Sequence, residues 1–251
     1  MPYRCYAKRS GLSDSPMMGT LGAQLPLGIR LKSSPSFANF VPGPNAEALS
    51  LLKAKVAGQG DRVTYLWGGD GTGKTHLLTA CCLEQAKHAG GNVCLPLTSA
   101  AELAPRMLDG LERLTLVCID DVDAVAGEPT WEEALFQLYE RVQGTGTRML
   151  LAARRPPILA GFRLADLASR FALGMVLRLH AIDDEARCHA LQLRAQERGF
   201  AIPDEVARFL LCHSPRDMHS LFELFERMDR LTLAEKRLVT IPLIKGLLGT
   251  A

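Results

Sequence analysis

The sequence predicts an α/β protein, a parallel sheet flanked by helices, followed by a small all-helical lid. Three observations predict it. Five short apolar runs alternate with helical patterns between about residues 37 and 180, the pattern beyond His180 is helical throughout, and a glycine-rich loop stands between the first run and the helix after it. Strands that alternate with helices are joined by crossovers, which makes the sheet parallel and buries it on both faces.

The elements follow in order. Residues 1–36 are rich in Ser, Gly and Pro without a helical period and read as a mobile arm. Met17 and Met18 follow a polar opening, so the first sixteen residues read as a disordered tail or an over-extended start. Within the arm, "GAQLPLGIRL" spaces Leu25, Leu27 and Ile29 by two around Pro26 and Gly28, which disfavour a helix or a central strand. By its residues alone this is an edge strand or a collapsed arm. Folding is expected to start near Phe37, with Asn45 capping a helix that runs through Gly58. The strands are "VTYLW" (63–67), "NVCLPL" (92–97), "LTLVCID" (114–120), "RMLLAA" (148–153) and "MVLRL" (175–179). Beyond them, "DDEARCHALQLRAQERG", "PDEVARFLLCH", "RDMHSLFELFERMDRL" and "IPLIKGLL" read as helices, with Asp183 and Pro203 at two starts. The expected domains are the arm 1–36, an α/β domain 37–180 and a helical lid 181–251.

Composition narrows the function. The 251 residues are 47% hydrophobic and 22% charged, which suffices for a buried core, and the net charge of +2 comes with no basic block. Strong direct DNA binding is therefore not expected. Seven cysteines form no C-x-x-C pair and mostly lie in apolar runs, which fits free thiols in a reducing compartment and no structural zinc. No apolar run reaches a membrane span and no signal peptide is visible, so the expected location is cytoplasmic, away from membranes.

"GGDGTGKTHLL" fits G-x-x-x-x-G-K-S/T directly after a strand and at the start of a helix. Gly68, Gly69, Asp70, Gly71, Thr72 and Gly73 form a loop whose backbone N–H groups can turn towards phosphate oxygens. Lys74 can reach the β and γ phosphates, Thr75 can ligate Mg2+, and His76 follows on the same helix. Two strands later Asp120 and Asp121 end a buried run. Asp120 is the candidate for the metal side and Asp121 for orienting an attacking water.

The phosphate loop, the "IDDVD" strand end, "RRPP", "LASRF" and a helical segment with "SPRDM" together resemble the AAA+ class and, within it, the bacterial initiator DnaA. The resemblance implies an AAA+ P-loop fold with ADP or ATP and Mg2+ as cofactors. It implies that Arg170 in "LASRF" is an arginine finger offered to a neighbour's nucleotide and that Arg216 is a lid contact to the chain's own phosphates. From the residues alone, Arg170 is equally a cation at a helix C-terminus and Arg216 a solvated residue of a helix first turn. Where that clade carries a polar residue to sense the γ phosphate, this sequence has Ala152 and Ala153 followed by Arg154 and Arg155, which makes intrinsic hydrolysis weak.

The chain stops at Ala251 after the lid, an outline similar to the DnaA regulatory inactivator (Hda) family. That family's arm carries a Gln-Leu-x-Leu peptide for the DNA polymerase III β sliding clamp, matched here at Gln24, Leu25 and Leu27, with Ile29 near its end. The resemblance implies a negative regulator of replication initiation that, on a DNA-loaded clamp, stimulates hydrolysis of DnaA-bound ATP. The partners implied are DnaA and the clamp, and homo-oligomerisation stays open. A free-standing AAA+ ATPase or helicase loader is the alternative, supported by the intact Lys74, Asp120 and Asp121.

Overall fold

The computed structural model describes residues 34–213, 240–242 and 244. Among them, α1 (Ala46–Val56) leads into β1 (Val63–Trp67), α2 (Lys74–Gln85), β2 (Asn92–Pro96), β3 (Leu116–Asp120) and α3 (Pro129–Gln143). The chain continues through β4 (Arg148–Ala153), α4 (Ala165–Leu173), β5 (Met175–Arg178), α5 (Asp184–Glu197) and α6 (Asp204–His213). The five strands are parallel in the order β2-β3-β4-β1-β5, as the strand-helix alternation predicts.

Both faces of the sheet are dry. Leu66, Leu150 and Ala152 pack with Leu52 of α1 and Leu77 and Leu78 of α2 on one face, while Tyr65, Ile119 and Leu151 pack with Leu135 of α3 and Phe171 of α4 on the other. Each fully buried Leu or Phe contributes about 1.5–3 kcal/mol, so the central strands β1, β3 and β4 are the anchored part of the molecule. β5 is an edge strand, alternating between half-buried and exposed. α5 and α6 form a separate apolar cluster around Leu191, Ala195, Val206 and Leu210. Buried Cys81, Cys82, Cys118 and Cys188 fill core space as free thiols, in keeping with the composition.

Several expectations shift. The runs at 92–97 and 114–120 are each trimmed, to Pro96 and from Leu116, because the ladder of β2 on β3 runs from the pair Asn92 and Leu116 to the pair Pro96 and Asp120, and that of β3 on β4 also starts at Leu116. α1 ends at Val56, two residues short of Gly58, which turns away with φ +91°. Asn45 occupies the N-cap position, but its side chain caps nothing. Buried at 2% exposure, it donates from Nδ2 to the His180 carbonyl at 2.9 Å and accepts the His180 N–H on Oδ1 at 2.7 Å. A polar group that far from water needs two partners, and the backbone beyond β5 supplies both where the helix start supplies one. Asp183 does cap, accepting the Ala186 N–H at 2.8 Å. Asn39 ties the segment before α1 to α5 by donating to Glu197 at 2.9 Å.

Candidate phosphate-binding site

The phosphate loop hangs from the C-terminal end of β1, between β4 and β5, where Trp67 pairs with Ala153 on one side and Arg178 on the other. Crevices beyond the carboxyl ends of parallel strands are where such sheets bind ligands. Glycine is required at two positions for separate reasons. A Cβ on Gly73, whose φ is +95°, would sit 2.6 Å from the Phe40 ring, and one on Gly68 would sit 2.6 Å from the Leu179 carbonyl oxygen. With those side chains absent, Phe40 and the chain beyond β5 close directly on the loop, and Gly69, Asp70 and Gly71 stay exposed.

Lys74 opens α2 and is buried, donating from Nζ to the carbonyls of Gly68 at 2.8 Å and Gly69 at 3.0 Å. Burial pulls its pKa down, and the negative charge of Asp121, Asp70, Asp120 and Asp123 opposes that. The ammonium is thereby aimed into its own loop. Thr72 Oγ1 donates to the Gly69 carbonyl at 2.9 Å and braces the same turn. Thr75 is exposed on the first turn of α2. His76 points back, Nε2 lying 2.9 Å from the Ser36 carbonyl and its ring 5.6 Å from that of Phe40; burial lowers its pKa.

The acids meet this loop from β3. Asp120 is buried at the strand end and accepts the Asp121 N–H on Oδ1 at 3.0 Å. Asp121 has φ +51°, the single positive φ outside glycine among the described residues. Aspartate tolerates that conformation better than most side chains, at a cost on the order of 1 kcal/mol. Burial first, and then the charge of Asp120, hold its carboxyl above the usual aspartate range. Lys74, Asp70, Asp120 and Asp121 are thus brought together.

Arg170 is not part of that group. It lies near the C-terminal end of α4, with Nε 3.2 Å from Glu140 Oε1 on α3. Arg216, Gln24, Leu25, Leu27 and Ile29 lie outside the described residues. The structure adds residues that no motif marks. Phe40, Val41, Ile182 and Ala190 join Gly73 and His76 in lining a cavity of about 80 Å³ beside the loop, bringing together segments before α1, at the start of α2 and around the start of α5. Asp123 accepts the backbone N–H of Arg154 at 2.9 Å. Glu132, buried at 1%, accepts N–H groups of Gly127 (2.6 Å), Arg163 (3.0 Å) and Leu164 (2.7 Å), clamping the turn after β3 to the entry of α4. No group of three or more His, Cys, Asp or Glu side chains among the described residues is placed to hold a metal ion by itself. No helix there is long and apolar enough to cross a membrane.

The family model for the bacterial DnaA ATPase domain matches residues 31–178, more than half of the chain. The chain belongs to this family of AAA+ proteins. A second model, the Hda lid domain, matches residues 184–248, so a DnaA-type ATPase module is followed by a lid of the Hda type. Among solved structures, domain III of the replication initiation protein DnaA from Thermotoga maritima is similar with a TM-score of 0.74 at 20% identity, over 85% of this chain and 95% of that one. AMPPCP-bound DnaA from Aquifex aeolicus matches with a TM-score of 0.65 at 20% identity, over 77% of this chain and 64% of that one. A replication initiator DnaA bound to AMPPCP and single-stranded DNA gives 0.65 at 21% identity, over 79% and 64%. The chain thus spans under two thirds of the length of those two longer DnaA chains, and the shared part is the AAA+ fold.

Proposed function

We propose that this DnaA-family AAA+ chain binds ADP or ATP with Mg2+ in the phosphate loop and uses that platform to regulate replication initiation. The glycine cradle suits a nucleotide: Gly68 and Gly73 leave no room for a Cβ, the first N–H groups of a helix have no intrahelical partner, and a buried lysine is directed at the loop carbonyls. Lys74 would hold phosphate oxygens, and the aromatic and aliphatic cavity by Phe40 and His76 suits the base. Thr75 and Asp120 would hold Mg2+ only together with phosphate oxygens, since the protein groups alone are too few. Bound triphosphate would supply the phosphoryl group for hydrolysis, and Asp121 would accept a proton from, or orient, a water.

The finer reading is that the chain acts on a second protein. It presents Arg170 to ATP held by DnaA, on a clamp engaged by Gln24, Leu25, Leu27 and Ile29, with Arg216 holding its own nucleotide in the cytoplasm. The observation that carries this is the pairing of a DnaA-type ATPase module with a Hda-type lid in one chain. Hydrolysis of DnaA-bound ATP, measured with and without DNA-loaded clamp, tests it. Stimulation that needs both this protein and the loaded clamp is expected, and no stimulation overturns it. The intact group of Lys74, Asp120 and Asp121 favours a second reading, a self-sufficient ATPase, which multiple turnovers by the isolated chain would establish.

A further inference from the structure

The helix that carries Arg170 has no cap of its own. Its N-cap position is Leu164, whose side chain can accept nothing, and the residue three positions on, where a capping box places a Glu or Gln, is the buried Leu167. α3 supplies the missing acceptor. Glu132 Oε2 takes the Leu164 N–H at 2.7 Å, and Oε1 takes those of Arg163 at 3.0 Å and Gly127 at 2.6 Å. Burial pushes this carboxyl up, the three N–H groups and the Arg163 charge pull it further down, and it rests below the usual glutamate range. A buried carboxylate therefore joins two turns that lie far apart in sequence.

One of those turns belongs to the phosphate site. It starts at Asp121, whose carbonyl accepts the Ala124 N–H at 2.9 Å, and it runs through Asp123 to Gly127. Asp123 holds the backbone N–H of Arg154, and Arg154 in turn sets its Nε 3.1 Å from Asp70 Oδ1 in the phosphate loop. The other turn opens α4, and Arg170 lies about 9 Å beyond Leu164 along the helix axis. Phe171 holds that far end in the core through ring contacts with Tyr65, Tyr139 and Phe162. Apolar burial is non-directional, which leaves the hydrogen-bonded entry to set the direction of the helix. We propose that Glu132 is a positioning residue for Arg170: by joining the turn after Asp121 to the entry of α4, it makes the direction of α4, and the place of the arginine at its far end, depend on the occupancy of the phosphate loop. This rests on the readings of the phosphate loop and of Arg170 given above.

The test is stimulation of DnaA-bound ATP hydrolysis on DNA-loaded clamp by the full chain and its Glu132→Gln variant, each titrated to saturation, with ADP binding to both measured by calorimetry. Gln keeps the shape of the side chain but turns one acceptor into a donor facing N–H groups. A misplacement of 1 Å can cost about 10²-fold in rate, so Glu132→Gln should lower maximal stimulation by about tenfold or more, while the half-saturating concentration and the Kd for ADP stay within about twofold. An unchanged maximum, or a maximum that falls only together with ADP affinity, overturns the proposal. Hydrogen exchange on the unmodified chain decides the matter even where the variant does not fold. Saturating ADP should slow the Gly127, Arg163 and Leu164 amides together, and protection of the phosphate loop without Arg163 and Leu164 overturns the linkage. If the unmodified chain binds no ADP the nucleotide reading falls, if Arg170→Ala stimulates fully the finger reading falls, and this inference falls with either.

Discussion

The phosphate loop and the Arg170 face carry charge in opposite ways. At the loop, Lys74 is buried, satisfied by two main-chain carbonyls and opposed by acids arriving from β3. Asp121 accepts an unfavourable φ to reach it. On the α3–α4 face, Arg170 and Glu140 are each 45% exposed and the described contact of Arg170 is that one ion pair. Charge that is buried and bonded to backbone stays within one site, the loop and whatever that loop holds. Charge held by a solvated partner can leave it for another molecule at little cost. The first arrangement suits a ligand the chain keeps and the second a ligand that some other chain presents.

The largest expected effect breaks this contrast on the outward side. An arginine supplied in trans is worth about 10³ to 10⁵ in kcat in GTPase systems, and an AAA+ contact falls at or below that range. Arg170→Ala should keep its fold and its nucleotide yet stimulate hydrolysis of DnaA-bound ATP far less than the unmodified protein, with Arg170→Lys recovering little because the planar fork is lost. If Arg170→Ala stimulates fully and an Arg155 variant does not, the outward-facing charge has been placed on the wrong arginine. Arg154 is the weaker rival, being engaged with the chain's own loop.

Next in size is the inward side. A ligand present at a hundredfold excess over Kd stabilises the folded state by about 2.7 kcal/mol. Lys74→Ala should abolish the melting shift produced by ADP, read by thermal denaturation. A retained shift would mean that the buried lysine serves the loop's own carbonyls and not a phosphate.

The same contrast marks what was legible in the sequence. β1 and β4 begin and end where their apolar runs do, and Asp183 caps α5 as its position predicts, because these depend on neighbours along the chain. The phosphate loop is visible for the same reason, its requirements being packed into eight residues. Asn45 is different: its helix-start context is local, but its partner His180 lies 135 residues away, and a buried amide is decided by whichever partner satisfies both ends. Glu132 reads as one acid of an adjacent pair in α3, and only the meeting of two distant turns shows it accepting three N–H groups. The cavity beside Phe40 and the reach of Arg154 to Asp70 are likewise products of the assembled sheet.

A smaller effect sharpens the inward side by pH. Asp121 has a folded-state pKa raised above the unfolded value, so the folded chain binds that proton more tightly than the unfolded one. Its contribution is full below the ordinary value of 3.8 and is lost as pH rises through the raised folded value. Asp121→Asn should therefore be the more stable protein at neutral pH, with the advantage over the unmodified chain shrinking as pH falls towards that value. Melting temperatures across the acid range check this, and a stability difference that does not vary with pH would assign the effect to backbone strain at φ +51° instead.

The smallest expected effect on stability isolates the outward side. Glu140→Gln removes the negative partner of Arg170 while keeping the shape of the side chain, and a half-exposed ion pair is worth about 0–1 kcal/mol. The melting temperature should hardly move. If Glu140 merely decorates the surface, stimulation of hydrolysis on DnaA should also stay unchanged. If it holds the guanidinium back, the variant spares Arg170 the cost of leaving its carboxylate, and stimulation should rise at limiting protein, at most by about the fivefold that a 1 kcal/mol pair allows. Reduced stimulation would reverse the argument, because it would mean that Glu140 aims the arginine and that the outward face is as preorganised as the phosphate loop.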